Sequence, residues 1–461
     1  MYKQPYRSGT PALGGLSGSK IAMILVVIFL LGLCLTVTIE LRKLDDADLR
    51  VMTTLYQERY NEVYKGKPIT PSVEVRAAAT LRDYPITMLT LVGLFMLYSW
   101  WSHRAGYKLQ APLCAVFVLL GISTSTRVLF EGFYGLTGEA GFIILGAMIM
   151  PVTFFLAMYF RLQLPKKAFG VVTALILMMV GLNFITIFIG ESKNGSFNWI
   201  TLGGISLQPS EFVKAGLIVL GCCAFINTRR KLLYSALIVV GCIVVALSGD
   251  IGAVVIFGCL FIVMTQLLYD EEWLSLLIIV LGIAAFAAII LLSKNKIISE
   301  TAYRRMQDWG NAMTNEKIFQ QKNFITATVL GGWKGLGIEN AKQFFQIYAG
   351  GTDGVLACVQ AVYGLPMLLV TMGCYIIIIL QCGFNHGTAP SCHLFLTQIA
   401  VFFTVQVLLN YGGALDVLPF TGIVSPLLSQ GGSSTLCTMA LMGIMFACLA
   451  YKTTIPPMEG A

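Results

Sequence analysis

Long apolar runs separated by short polar segments dominate this sequence. Twelve of the runs are long enough to cross a bilayer as a helix, which takes about 20 apolar residues. The pattern predicts an all-α, polytopic membrane protein with about twelve transmembrane helices. The predicted helix cores are residues 21–38, 85–102, 110–128, 139–160, 168–190, 209–226, 233–248, 251–269, 273–293, 354–380, 392–411 and 432–451.

Composition supports this class. Of 461 residues, 57% are hydrophobic and only 12% are charged, whereas a soluble domain carries roughly 25% charged residues. Most of the 12 cysteines lie inside apolar runs, where cysteine acts as a small hydrophobic residue, so no disulfide framework is predicted. No metal site is predicted from the cysteine and histidine spacing.

The net charge of +8 does not indicate nucleic acid, because the basic residues recur in short connections between apolar runs. Cytoplasmic connections of membrane proteins are enriched in lysine and arginine. Two connections predicted to face outward, 129–138 and 412–431, contain neither residue. We therefore expect both termini in the cytoplasm. The basic connections are marked by Arg104, Lys108, Arg161, Lys166, Lys167, Arg229, Arg230 and Lys231.

Charged residues occur at the start of one predicted span, NWITLGGISLQPSEFVK. Pro209 suits a first helical position, and Glu211 suits the positive end of a helix. Lys214 follows Glu211 by three residues, so the two side chains share one helix face. One interpretation is a helix start whose lysine extends to the interface. The favoured hypothesis is a charged wall facing a polar cavity, because a lysine inside a span requires a partner.

A second charged position is Asp250 in LSGDIGAVVIF, between two apolar runs. A charge at the bilayer centre costs about 2.5–3.5 kcal/mol on insertion scales. The aspartate either marks a tight turn outside the membrane or faces a cavity through a broken helix. Both interpretations stay open from the sequence.

The third unusual stretch is LPFTGIVSPLLSQGGSS, residues 418–434, which cannot form one regular helix. Lipid cannot satisfy irregular backbone, so this stretch is predicted to line an aqueous site. Gln406 and Asn410 precede it at helical spacing and form one polar stripe. Tight packing before the last span is the alternative role for its glycines.

These stretches resemble the motifs of the SEDS family (FtsW/RodA/SpoVE). LPFTGIVSPLLSQGGSS is similar to the family's LP-x-TG…SYGGSS, and NWITLGGISLQPSEFVK to its QPSE motif. SGDIGAVVIF, GGWKGLG and GGTDGVLACVQAVYGLPMLL resemble three further family blocks. All five occur in the family's order, within about residues 110–450. A divergent member with two additional N-terminal helices is therefore indicated.

The resemblance implies a function and a division of the chain. Family members polymerise lipid II outside the membrane, usually beside a class B penicillin-binding protein, and a divalent cation (Mg²⁺ or Mn²⁺) is implied. Residues 110–451 would form the ten-helix core, with an outer loop at 294–353. Residues 21–109 would form an extra helix pair with an outer segment at 39–84. Residues 1–20 and 452–461 would be cytoplasmic tails.

Glycan polymerisation requires a carboxylate base for the acceptor hydroxyl and cations for the pyrophosphate leaving group. Candidate cations are Lys214, Arg304 and Arg305. Serine hydroxyls can contact sugar or phosphate. The remaining predicted substrate-binding residues are Gln208, Glu211, Asp250, Asp353, Ser433 and Ser434.

The chain departs from the family where chemistry is expected. The family's essential aspartate falls on Asn315 or Glu316, in a stretch about two residues shorter than usual. Asparagine cannot act as a base, so Glu316 is the first catalytic candidate and Asp308 the second. The family's paired glutamates fall on Ala361 and Val362.

Three functions remain open from the sequence. The first is a divergent lipid II polymerase that serves division, elongation or sporulation. The second is a catalytically weak homologue that scaffolds or regulates a penicillin-binding protein, and the third is a transporter of lipid-linked precursors. Loss of family residues at chemical positions favours the second, whereas Glu316 favours the first.

Overall fold

The computed structural model describes residues 18–43, 73–130, 139–160, 165–189, 191–193, 196–202, 205–269, 273–274, 276–284, 305, 307–314, 319–340, 350–384 and 389–454. Helices dominate these ranges. In chain order they are α1 (Gly18–Lys43), α2 (Val73–Arg104), α3 (Gln110–Phe130), α4 (Glu139–Phe160), α5 (Lys166–Ile189), α6 (Pro209–Gly221), α7 (Thr228–Leu247), α8 (Ile251–Tyr269), α9 (Phe319–Gly331), α10 (Gly337–Asn340), α11 (Val355–Gly383), α12 (Pro390–Ala414) and α13 (Gly432–Thr454).

Eleven of these helices, all but α9 and α10, are long and apolar enough to cross a membrane, with α6 counted to Ile226 because a 3₁₀ turn at Ala224–Ile226 continues it. This confirms the predicted fold class, a helical multi-pass membrane protein. The predicted span at 273–293 is helical over 273–274 and 276–284, and residue 275 and residues 285–293 lie outside the described residues. The count of twelve spans therefore stays a prediction.

The two N-terminal helices form a three-helix group with α3, in which each helix contacts the other two. Helix α3 is largely buried, because α11 packs on it as well. Helix α2 begins at Val73, so residues 73–84 of the predicted outer segment are helical and continuous with the membrane-spanning part of this helix, Arg82–Arg104. The apolar run that predicted this span begins at residue 85. The helix begins earlier, at Val73, because helix formation does not require apolar residues.

Three short strands precede α6: β1 (Glu191–Lys193), β2 (Ser196–Leu202) and β3 (Ile205–Leu207). They pair antiparallel in the order β1-β2-β3, with Ile200 opposite Leu207. The apolar runs of the sequence predict no strand here. The pattern ITL-GG-ISL, with two glycines between short runs containing β-branched residues, is typical of a hairpin and could have indicated it.

The GGWKGLG stretch forms a close backbone contact with a kink in α11. The kink lies at Gly364, whose φ of 81° is unfavourable for other residues. A Cβ on Gly364 would lie 2.3 Å from the Trp333 carbonyl oxygen, and one on Gly335 would lie 2.6 Å from the Gly364 nitrogen. Two backbone hydrogen bonds join the GGWKGLG stretch to α11. The Leu336 N–H donates to the Ala361 carbonyl (2.9 Å), and the Leu365 N–H donates to the Gly332 carbonyl (3.0 Å). Glycines at this contact therefore permit backbones to meet directly.

Candidate functional site

The connecting segment, residues 418–434 between α12 and the first turn of α13, is the centre of the candidate site. Most of it is irregular, as the sequence predicts. Side chains of neighbouring helices satisfy its backbone. The Asn410 amide donates to the Ile423 carbonyl (2.7 Å) and the Asp353 carbonyl (3.0 Å). The Tyr375 hydroxyl donates to the Pro426 carbonyl (2.7 Å). These bonds replace the helical hydrogen bonds that the segment lacks.

Arg127 on α3 makes a further set of contacts with the connecting segment. Its guanidinium donates to the Leu428 carbonyl (Nε, 3.3 Å) and to the Ser429 carbonyl. Ser123, one turn earlier, donates to the same Leu428 carbonyl (2.6 Å). Arg127 is only 1% exposed. We did not single it out from the sequence, although a charge inside a predicted span is itself an indication of function.

Three charged residues from separate elements converge beside the connecting segment. Arg305 of the outer loop donates to the Thr421 carbonyl (2.9 Å). A Cβ on Gly422 would lie 3.5 Å from Asp353 Oδ2 and 3.7 Å from Arg305 Nη2, so both groups lie against this glycine. Asp250 also acts electrostatically on both. We name Arg305, Asp353 and Asp250 the charged cluster.

Burial changes the acid–base behaviour of this cluster. Desolvation raises the pKa of Asp353 to about 6, although Arg305 lowers it, and the negative charge of Asp250 raises it further. Desolvation also lowers the pKa of Arg305, although the negative charges of Asp353 and Asp250 raise it. Asp353 therefore changes protonation state near neutral pH, where an ordinary aspartate stays ionised.

The structure places Asp250 in a tight turn between α7 and α8, and its facing a cavity stays a prediction. Its Oδ1 accepts a hydrogen bond from the Ala253 N–H (3.0 Å), so it caps the first turn of α8. Gly249 before it has a φ of 82°, as a tight turn requires. The same carboxylate lies within electrostatic reach of Arg305 and Asp353. The turn thus places an acidic group at the charged cluster.

Glu211 and Lys214 form a second, local pair. The lysine Nζ lies 2.5 Å from Glu211 Oε1, and the side chains are only 1% and 4% exposed for Lys214 and Glu211 respectively. The lysine therefore does not extend to the interface but pairs inside the bundle, as the favoured hypothesis requires. Pro209 is at the start of α6, after Gln208 as N-cap. The Gln208 N–H donates to Ser433 Oγ (3.3 Å), which links this pair's helix to the connecting segment.

The two predicted serines are buried at the start of α13. Ser433 is 4% exposed and Ser434 is 9% exposed. Ser433 accepts the hydrogen bond from Gln208. Substrate contact by these hydroxyls stays a prediction.

Several buried polar atoms near the connecting segment have no hydrogen-bond partner among the described residues. Both amide atoms of Gln406 are in this state, as are Asn410 Oδ1 and Thr421 Oγ1. Gln406 is fully buried. Buried polar groups are nearly always hydrogen-bonded, so this interior is suited to polar ligands or water. The polar stripe predicted at Gln406 and Asn410 thus lies inside the protein, beside the connecting segment.

The predicted catalytic residues are only partly within the described structure. Glu316 and Arg304 lie outside the described residues. Asp308 lies in a turn of the outer loop, where its carbonyl accepts from the Asn311 N–H (3.0 Å). Arg305, Asp353 and Asp250 come together, whereas Glu211 and Lys214 form their own pair. A base in contact with substrate is not identified by these observations.

The described residues do not by themselves provide a complete set of ligands for a divalent cation. They contain no group of three or more His, Cys, Asp or Glu side chains able to hold a metal ion. Asp250 and Asp353 share their surroundings with the Arg305 cation, which competes electrostatically with a metal. The requirement for Mg²⁺ or Mn²⁺ therefore stays a prediction.

Comparison with known proteins places this geometry in context. A family model described as a cell cycle protein, FTSW_RODA_SPOVE, matches residues 105–454. The probable peptidoglycan glycosyltransferase FtsW of Nitrosococcus halophilus is 27% identical over 287 residues, covering 59% of this chain and 73% of that protein. The stage V sporulation protein E of Bacillus subtilis is 25% identical over 288 residues, covering 57% and 74%.

A chain in a solved structure of a peptidoglycan synthase complex has a similar fold. The TM-score is 0.56 at 19% identity, over 74% of this chain and 97% of that chain. The match of the family model extends over most of the sequence, including every motif on which the resemblance was based. The chain belongs to the FtsW/RodA/SpoVE family.

Proposed function

We propose that this protein is a peptidoglycan glycosyltransferase that polymerises lipid II. Family membership supports the proposal, as do relatives that are named probable peptidoglycan glycosyltransferases. The observation that carries it is the charged cluster. Arg305 from the outer loop is held at the Thr421 carbonyl, facing two aspartates beside an irregular membrane segment.

This arrangement suits a substrate that is both lipid-linked and anionic. In the proposed reaction, an acceptor hydroxyl attacks the anomeric carbon of the donor sugar. The bond from that carbon to the pyrophosphate oxygen breaks, the lipid pyrophosphate leaves with the bonding electrons, and a carboxylate takes the hydroxyl proton. Arg305 would stabilise the charge that develops on the pyrophosphate, because an oriented cation in a water-poor site acts strongly.

Glu316 is our candidate for the base, with Asp308 as the second. Glu316 lies eleven residues after Arg305 in the same outer loop. Asp353, whose pKa is raised to about 6, is ionised for most of the time at neutral pH and would orient Arg305. Division, elongation and sporulation are all compatible with this chemistry.

The proposal extends to topology and partner. Both termini would be cytoplasmic, because the basic connections then face inward. The charged cluster would then face the outer side, where a class B penicillin-binding protein would crosslink the product. A requirement for Mg²⁺ or Mn²⁺ is a separate prediction, which titration of the cation in the assay below would test.

The test is polymerisation of labelled lipid II by the purified protein, alone and with a penicillin-binding partner. We expect glycan strands from the wild type and none from Glu316→Gln, with Asp308→Asn measured in parallel. Strands that disappear only with Asp308→Asn would move the base to Asp308.

The absence of strands from the folded, partner-bound wild type would contradict the proposal. It would favour the homologue that scaffolds or regulates a penicillin-binding protein. Movement of lipid II across a vesicle membrane without polymerisation would favour transport.

A further inference from the structure

Asp416, just after α12, has a backbone conformation that is unfavourable for its residue type. Its φ is +60°, and the only other non-glycine residue with positive φ in the described part of the chain is Leu427. Side chains other than glycine are strained in this region, although aspartate tolerates it better than most. A glycine would remove the strain, so the side chain at this position needs a compensating role.

The Asp416 carboxylate accepts three hydrogen bonds from the outer loop and the helix that follows it. Oδ1 accepts from the Gly310 N–H (3.0 Å) and from Gln321 Nε2 (3.2 Å), and Oδ2 accepts from the Ala312 N–H (3.0 Å). Both oxygens are therefore engaged with residues about 100 positions earlier in the chain. Charge-assisted bonds of this kind are stronger than neutral ones.

Neighbouring bonds reinforce the contact. The Trp309 indole N–H donates to the Val417 carbonyl (3.3 Å), and Gln321 Nε2 also approaches the Gly413 carbonyl (3.3 Å). A short turn at residues 309–312 is thereby fixed on the end of α12.

The fixed turn lies close in sequence to the charged cluster. Arg305 precedes Gly310 by five residues and reaches the Thr421 carbonyl, which follows Asp416 by five residues. The outer loop is therefore joined to the end of α12 at Asp416 and to the connecting segment at Arg305. Release of the first joint would free the backbone that carries Arg305.

We propose that Asp416 is a positioning residue that anchors the outer loop and so holds Arg305 against the substrate site. The proposal rests on the proposed glycosyltransferase function for its catalytic consequence. Its structural part, the anchor, stands on the hydrogen bonds alone. Asp416 does not act as the base, because both of its oxygens already accept hydrogen bonds.

The test compares Asp416→Gly and Asp416→Asn with the wild type in the full-length protein. Asp416→Gly removes the acceptors and also the strain, so the fold is retained. Asp416→Asn keeps one acceptor oxygen and is expected to give an intermediate effect. Val417→Ala is the matched control, because Val417 contributes its backbone carbonyl and its side chain is 67% exposed.

Two measurements are needed, amide hydrogen exchange over residues 307–314 and the kinetics of lipid II polymerisation. We expect exchange at least about tenfold faster in Asp416→Gly, from the loss of charge-assisted hydrogen bonds. We expect kcat to fall about tenfold with little change in KM, because Arg305 acts on the leaving group in the transition state. The control should change neither quantity.

Unchanged exchange in Asp416→Gly would overturn the anchor. Faster exchange with unchanged kcat in an active protein would overturn the positioning role. A wild type without polymerase activity would contradict the proposed function instead, and exchange alone would then decide whether Asp416 anchors the loop.

Discussion

The two groups of charges in this protein, the Glu211–Lys214 pair and the charged cluster, are built in different ways. The pair comes from one turn of α6 and is almost completely buried. The cluster takes Arg305 from the outer loop, Asp353 from the segment before α11 and Asp250 from the turn before α8. The pair therefore depends on one helix alone, whereas the cluster depends on how distant elements meet.

This difference indicates which group of charges contributes mainly to stability and which contributes mainly to function. A buried, locally paired charge is costly to disrupt, because its partner is then left uncompensated. The cluster brings charges from distant elements together at an irregular segment, and one of its members titrates near neutral pH. We expect substitutions in the pair to change mainly stability, and substitutions in the cluster to change mainly activity.

The largest effect is expected from Lys214→Met. It leaves the Glu211 carboxylate buried without its partner, which should lower the free energy of unfolding by about 3–5 kcal/mol. Thermal unfolding in detergent would measure the loss. The double variant Glu211→Gln, Lys214→Met is the control and should recover most of it. A single variant as stable as the wild type would show that the pair contributes little.

Arg305→Gln is expected to have the next largest effect, on rate. Removing one group that stabilises transition-state charge typically costs about 100-fold in kcat. The melting temperature should change less than in Lys214→Met, since Arg305 is less deeply buried than Lys214. Arg305→Lys keeps the charge and should retain more activity than Arg305→Gln. Equal losses in both variants would indicate that geometry matters more than charge.

The pKa of Asp353 predicts a pH dependence. Below a pH of about 6 the carboxyl is protonated and no longer attracts the Arg305 guanidinium, so the polymerisation rate should fall about tenfold between pH 7 and pH 5. Stability should move in the opposite direction. Folding raises the pKa of this carboxyl from 3.8 to about 6. The carboxyl therefore contributes stability below about pH 4, and this contribution is lost as the pH rises through 6.

Asp353→Asn is the control for this pH dependence. It should remove the step near pH 6 from the rate profile, leaving a low and flatter activity. A step of unchanged position in this variant would assign the titration to another group.

The smallest effect is expected from Ser433→Ala together with Ser434→Ala. If the two hydroxyls together make one hydrogen bond to the head group, its loss costs about 0.5–1.5 kcal/mol, so the affinity for lipid II should weaken roughly two- to tenfold. Isothermal titration would measure it. An unchanged affinity would remove these hydroxyls from the head-group site.

The sequence predicted the local features of the site better than the long-range ones. Glu211 and Lys214 were paired correctly from their spacing, because a helix fixes which side chains share a face. The irregular character of residues 418–434 followed from prolines and glycines.

Long-range contacts could not be derived in the same way. Nothing in the spacing of Arg305 and Asp353 indicates that they meet at Gly422. The Asp416 contact and the role of Arg127 likewise depend on tertiary packing, and the hairpin before α6 was missed although its pattern was present. The motifs that resemble the family pointed to Arg305 and Asp353 before any contact was known, but they pointed to neither Asp416 nor Arg127.

The most direct test of the central claim is a double-mutant cycle on polymerisation, with Arg305→Gln, Asp353→Asn and the two combined. If the residues act as one unit, the double variant will be about as slow as the slower single variant, so the measured coupling will exceed about 1 kcal/mol. Rate losses that simply multiply would contradict the claim, because Arg305 and Asp353 would then act independently.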